Sequence, residues 1–380
     1  MRIVLTWRRL LILAVVGGAL GMAFAWSGLF NVAASSGHWP ITSWFLHYVM
    51  RQSVETHAPG SGLPRLDDPA LVHRGAGHYA TGCAPCHGAP GVRQSPVALE
   101  MTPKPPYLPP QVEQWQPNEL FWIVRHGIKF TGMPAWVALE REDEVWAMVA
   151  FLRQLPEMAP EAYRRLALGE LTDEPTSQAL DQGLDRLADP FEPVLADCAR
   201  CHGRDGAGRG VGAFPRLSGQ SEGYLYATLE AYAKGSRYSG IMQPAAAQLS
   251  EAEMRRLAEH YARVSDAALS SASVQTATET EELGEQIARR GVPADGIPAC
   301  VSCHEPSAGA RYPYYPILRG QTAGYLAQQL RLFQQGARGG TAFAPIMATI
   351  ARRLNDRQIE AVAGFFGAAA GQRTASDEPR

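Results

Sequence analysis

Three copies of one five-residue pattern constrain this chain more than any other feature. They are "CAPCH" (Cys83, Cys86, His87), "CARCH" (Cys198, Cys201, His202) and "CVSCH" (Cys300, Cys303, His304), and together they use all six cysteines. On a helix, positions i, i+3 and i+4 share one face, so each copy can present two thiols and an imidazole to a single flat object. With 10 histidines in 380 residues, three trailing histidines would arise by chance with a probability of roughly two in a hundred thousand. The histidine is part of the pattern.

A Cys-x-x-Cys pair suits a disulfide, half a zinc site, a redox dithiol or the attachment point of a c-type haem. Structural zinc takes four protein ligands, and each copy offers three with no fourth Cys or His at a regular offset. A redox dithiol has no need of the histidine. Covalent haem needs what is present: two thiols to form thioethers with the vinyl groups, and an imidazole for the fifth iron position. The expectation is three covalently bound haems c.

The length allows two to four domains, and three motifs about a hundred residues apart point to three. Each is then small enough that a bare apolar core is marginal, and a buried macrocycle would complete it. The formal charge of −2 and pI near 6.6 give no sign of a nucleic-acid partner, which would call for a basic excess.

From Leu10 to Phe30 the chain runs without a charge behind Arg2, Arg8 and Arg9. That is long enough to span a bilayer, with the arginines left in the cytoplasm. The "AFA" at 23–25 also resembles a signal-peptide cleavage site; the length of the run favours a retained anchor. Either way the remainder is exported. Pro40 then opens a helical pattern through Ile41, Trp44, Phe45, Tyr48 and Val49. It reads equally as a helix lying in the membrane interface or as one packed on the first haem unit.

The first unit reads as helices near 69–80, 117–126 and 140–154, the last with Val145, Met148, Val149 and Leu152 on one face, and with a proline-rich loop "TPKPPYLPP" between. Polar stretches at about 160–176 and 264–281 separate the units. The second and third units are copies: "PRLSGQSEGYLYATLEAYAKGSR" from residue 215 and "PILRGQTAGYLAQQLRLFQQGAR" from residue 316 match at ten of 23 positions without a gap. The expected organisation is an anchor over 1–35, a helix and linker over 36–68, and haem units over 69–160, 176–265 and 280–371.

A methionine at the sixth iron position favours the reduced state and an electron carrier; an open position favours catalysis. Each unit has one candidate 40 to 46 residues after its motif histidine: Met133, Met242 and Met347. Methionine also fills core gaps, but the matching location in three units points to ligation. His126 is a rival for the first iron, read here as a surface or second-sphere histidine.

These residues resemble the class I c-type cytochromes: a helix, CxxCH, a proline-bearing loop, a methionine and a closing helix. Units two and three are similar to the tandem diheme cytochromes c, with "PxLxGQ", "GYL" and "GxR"; the first, with "ELFWIVRHGIKFTGMPAW", resembles a membrane-attached monohaem cytochrome. The resemblance implies an all-α fold of three class I cytochrome c domains in tandem behind one transmembrane helix. It implies that the carbonyls of Pro215 and Pro316 accept from the rings of His202 and His304, and that Gly219, Gln220, Tyr224, Gly320, Gln321 and Tyr325 shape the haem pockets. The proline-rich loop departs from the pattern and leaves the proline supporting His87 unassigned.

The expected function is a triheme cytochrome of a bacterial inner membrane, its haem units in the periplasm. It would pass single electrons from a quinol-oxidising complex or dehydrogenase to a terminal oxidase or soluble cytochrome. Alternatives are the cytochrome subunit of a membrane-bound dehydrogenase or haem–copper oxidase, and a haem peroxidase or reductase, against which three methionines argue.

Overall fold

The computed structural model describes residues 6–60, 62–169, 191–264, 279–305 and 313–367. Among these residues the regular elements are helices, with only two isolated bridges, Ala89 to Val92 and Val292 to Ile297. Much of the expected linker at 264–281, and residues 176–190 and 368–371 of the expected units, lie outside the described residues.

The N-terminal helix Trp7–Trp26 has 20 residues, a mean hydropathy of 1.9 and no buried residue. At 1.5 Å per residue it is about 30 Å long, the thickness of a bilayer's hydrocarbon core. It is a candidate membrane anchor or signal sequence. It stops short of the expected Phe30 because the chain turns at Gly28, whose φ is +71°.

The next helix, Pro40–His57, divides the two expectations along its length. Ile41, Trp44, Phe45, Tyr48 and Val49 are exposed, whereas Val54 is fully buried. The C-terminal half is fastened to the first unit: Arg51 donates to Gln114 at 2.7 Å and lies over the Trp115 ring, and His57 packs on Trp122.

In the first unit, Pro69–Gly82 begins at Asp68, whose side chain accepts from the Ala70 N–H, with Pro69 at the first helical position. Gln116 and Glu119 form a capping box for Pro117–His126. Glu142, Asp143 and Glu144 open the closing helix Glu142–Gln154, where the helix dipole favours acids. The expected stripe Val145, Met148, Val149 and Leu152 is buried with Val72, Tyr79 and Phe151. Gly75 is where Pro69–Gly82 and the closing helix meet; a Cβ there would fall 2.2 Å from the Ala147 carbonyl oxygen. Residues 160–168, expected as part of a polar stretch, instead form the helix Pro160–Leu168, which buries Tyr163 and Ala167 in the same core.

The second unit consists of Phe191–His202, Glu222–Ala233, Met242–Ala247 and Glu251–Arg263. Its core is small: Phe191, Leu195, Leu225, Leu257, Ala258 and Tyr261. The third comprises Glu279–Arg290, Val301–His304, Ala323–Gln335, Ala344–Ala351 and Asp356–Gly367. Its first and last helices pack as in the first unit, with Gly284 against the Ala361 carbonyl.

Candidate haem sites

The three motifs adopt the helical geometry that their spacing calls for. "CARCH" ends the helix Phe191–His202, "CVSCH" forms the turn Val301–His304 with Cys300 at its N-cap, and Cys83 joins Pro69–Gly82 to the turn Ala84–His87. The His87 and His304 N–H groups return to the Cys83 and Cys300 carbonyls at 2.9 and 3.0 Å.

Each motif histidine donates from Nδ1 to a proline carbonyl. The partners are Pro106 for His87 at 2.9 Å, Pro215 for His202 at 3.0 Å and Pro316 for His304 at 2.8 Å. The last two are the pairs that the family resemblance implies; Pro106 answers the case left unassigned, within a loop held by Gln94, which donates to the Cys86 and Pro105 carbonyls. With Nδ1 so engaged, Nε2 carries the free lone pair. Burial holds all three imidazoles below the ordinary histidine range, in the neutral form that a metal requires.

The first thiol of each motif lies in apolar surroundings. Burial pushes Cys83 and Cys198 up to about 12 and Cys300 to about 11. A redox dithiol needs the opposite shift. Among the described residues no group of three or more His, Cys, Asp or Glu side chains is arranged to hold a metal ion. An iron held by one imidazole and one thioether inside a macrocycle asks for no such cluster.

One cavity spans the second and third units, enclosing about 2000 Å³ of space, part of it open to solvent. Cys198, His202 and Met242 line it together with Cys300, Cys303, His304 and Met347. Its walls are apolar over most of their extent, through residues such as Leu225, Leu257, Leu326 and Phe366. Gln220, Tyr224, Gln321 and Tyr325 line it as expected; Gly219 and Gly320 are not among its lining residues and instead take left-handed turns, with φ of +77° and +80°.

Arg237 and Arg338 also line this cavity. Arg237 donates to Thr228, Tyr325 and Gln329, and Arg338 to Tyr224, each at 3.3 Å. Burial alone would raise the Tyr224 phenol, but the two guanidinium groups outweigh it and pull it down to about 8. Apolar walls, a cationic patch and paired Cys/His sets fit haem, whose ring is apolar and whose two propionates are anionic.

In the first unit, Met133 sits in a loop tied locally: its N–H donates to Thr131 Oγ1 at 3.1 Å, and Thr131 donates to the Ile128 carbonyl at 2.7 Å. Gly127 lets this loop approach, since a Cβ there would meet Pro134 and Met133 backbone atoms at 2.5–2.6 Å. His126 is exposed beside Trp122.

Residues 70–152 match the family model for cytochrome c oxidase, cbb3-type, subunit III, and residues 193–265 match the model for cytochrome c. The chain is 36% identical over 176 residues to a thiosulfate dehydrogenase electron acceptor of Thiomonas intermedia, covering 46% of this chain and 80% of that protein. It is 33% identical over 175 residues to a cytochrome c4 of Pseudomonas aeruginosa, covering 45% and 83% respectively.

The chain belongs to the class I c-type cytochromes.

A solved structure, reduced cytochrome c4 from Pseudomonas stutzeri, is 30% identical with a TM-score of 0.41 and covers 47% of this chain and 96% of that one. As a c-type cytochrome the chain binds haem c covalently and transfers electrons. Sequence reasoning missed Glu144, Ser239 and Trp136, which meet at the boundary between the first and second units. In sequence Glu144 is one of three acids opening a helix, with nothing local to mark its burial.

Proposed function

We propose that this cytochrome is a membrane-anchored triheme electron carrier, with haem units over about 69–168, 191–264 and 279–367 behind the N-terminal helix. The observation that carries the reading is the threefold recurrence of one support: a CxxCH motif whose imidazole is fixed by a proline carbonyl. Cys83, Cys86, Cys198, Cys201, Cys300 and Cys303 would hold the macrocycles, and His87, His202, His304, Met133, Met242 and Met347 would bind the irons. Bound haem supplies a one-electron ferric/ferrous couple.

The chain's own residues do the rest. The Pro106, Pro215 and Pro316 carbonyls orient each imidazole and raise its basicity. The apolar walls exclude water, and the methionine thioethers would bind the iron and favour its reduced state. Arg237 and Arg338, which line the cavity, would receive anionic propionates. No step requires the protein to bind or transform a substrate.

Likeness to thiosulfate dehydrogenase electron acceptors supports a periplasmic dehydrogenase as donor, which gives up one electron per transfer, with a terminal oxidase or soluble cytochrome taking it on. The match of residues 70–152 to a subunit of cbb3-type oxidase favours a second reading, in which the chain is a cytochrome subunit delivering electrons within such a complex. Purification from detergent-solubilised native membranes tests both. The expected preparation has three haems per chain by pyridine haemochrome and contains a dehydrogenase or an oxidase; fewer than three haems per intact chain contradicts the reading.

A further inference from the structure

The first unit does more than lie beside the second: it grips the loop that presents Met242. That loop, "SGIM", is organised by Ser239, whose hydroxyl accepts from the Met242 N–H at 2.9 Å and the Ile241 N–H at 3.2 Å. The hydroxyl has one proton to give, and it goes to Glu144 Oε1 of the first unit at 2.6 Å. The Gly240 N–H donates to the other oxygen, Oε2, also at 2.6 Å. Both oxygens of one carboxylate therefore hold the two residues just ahead of the methionine turn.

Glu144 is itself fixed. Arg141 Nη1 lies 2.9 Å from Oε1 and also donates to the Tyr238 carbonyl at 2.9 Å, while its Nε and Nη2 form a forked pair with Asp143. Trp136 donates to Oε2 at 3.3 Å. The assembly is dry: Ser239 is 1% exposed, Glu144 3% and Trp136 8%. Contact is tight as well, because a Cβ on Gly240 would fall 2.1 Å from Trp136 Nε1.

Among the described residues the other two methionine loops lack this device. Met133 is tied to Thr131 in its own unit. Eight residues lie between Arg338 and Met347 where four lie between Arg237 and Met242, and the place of Ser239 in the third repeat is taken by Gly340.

We infer that Glu144, supported by Arg141, is a positioning residue for Met242 across the unit boundary, so that docking of the first unit sets how firmly the second haem keeps its methionine. The inference rests on the reading of Met242 as a ligand. Weakening the grip frees the loop, lowers the fraction of time the thioether occupies the sixth position, and favours the oxidised state at that haem alone.

The test uses the full-length protein in detergent, with carbon monoxide binding to the reduced form and a spectroelectrochemical titration of all haems. Met242→Ala marks the haem concerned by opening one per chain to carbon monoxide; if it opens none, the ligand assignment fails. Given that marker, Glu144→Gln is expected to speed carbon monoxide binding at the same haem by about tenfold, equivalent to ~1.4 kcal/mol, the scale of one hydrogen bond to a charged group. It should also lower that haem's midpoint potential and leave the other two unchanged. In the Met242→Ala background Glu144→Gln should add nothing. Where the Gln form does not mature, Glu144→Asp keeps the charge for Arg141 and shortens the reach by one methylene, with the same outcome expected. Wild-type carbon monoxide kinetics and midpoints in the substituted protein, or changes confined to the haem that Met133→Ala opens, overturn the inference.

Discussion

Acidification should destabilise the first unit and its contact with the second, through two histidines that no haem role claims. His73 and His78 both lie on Pro69–Gly82. His73 packs edge-on against Phe214 of the second unit at 5.5 Å, close enough to Gly210 that a Cβ there would meet its Nδ1 at 2.3 Å. His78 packs edge-on against Trp136 at 4.9 Å. Burial pushes both down to about 4, and for His73 the Arg209 charge adds to it. In the unfolded chain they titrate near the ordinary 6.5. Between those values the unfolded state binds protons that the folded state refuses, so stability is fully present above pH 6.5 and is lost as pH falls through 4. Moving from 6.5 to about 4 corresponds to ~3 kcal/mol per ring; partial solvent access reduces the sum for both to about 3–5 kcal/mol. That is a large part of the ~5–15 kcal/mol by which a protein of this kind is stable. Urea unfolding followed by circular dichroism from pH 7 down to 4.5 should show a steep loss, and His73→Gln with His78→Gln should flatten it. An equal loss in the doubly substituted protein would refute the attribution to these rings.

Other expectations follow from single contacts. Gln220→Ala removes a donor to the Ile317 carbonyl at 2.7 Å and an acceptor for the Ile317 N–H at 3.0 Å, and should cost about 2 kcal/mol or more in urea denaturation by leaving both backbone groups unpaired. Gly75→Ala drives a methyl group into the Ala147 carbonyl and should cost about 2–3 kcal/mol, read as a lowered melting temperature of the first unit. Replacing residues 1–30 with a cleaved export signal should release haem-loaded protein from the membrane fraction; an unmodified chain found fully soluble would contradict the anchor.

Local chemistry was legible in the sequence, and long-range packing was not. The CxxCH spacing fixes which side chains share a helical face, and helix starts at Pro69 and Pro117 follow from caps within a few residues. The residue supporting His87 was hidden because six prolines crowd residues 96–110, and only the folded loop selects the carbonyl of Pro106. The helix Pro160–Leu168 looked like a polar stretch because only Tyr163 and Ala167 are fully buried, while the charged residues around them face solvent. Glu144 was the hardest case. Its partners Ser239 and Gly240 lie 95 and 96 residues away, so no window of sequence contains the interaction that defines it.

The two unit boundaries also differ in kind, and the difference follows from the duplication. Between the second and third units the contacts are reciprocal. Gln220 exchanges hydrogen bonds with Ile317 and Gln321 with Arg216, while Arg237 reaches Tyr325 and Arg338 reaches Tyr224. Such a self-complementary patch is what two copies of one sequence can form about a twofold relation, and it is used up once the pair has closed. A further unit must dock elsewhere by unlike surfaces. The first unit does so through Arg74 on the Ala213 carbonyl, Arg209 on the Arg165 carbonyl, and the Arg141–Glu144 pair on residues 238–240. Reciprocal contacts act alike on the second and third sites, whereas the Glu144 contact falls on the second alone. A docked first unit therefore adds a difference between the two duplicated units beyond the substitutions that already separate their sequences.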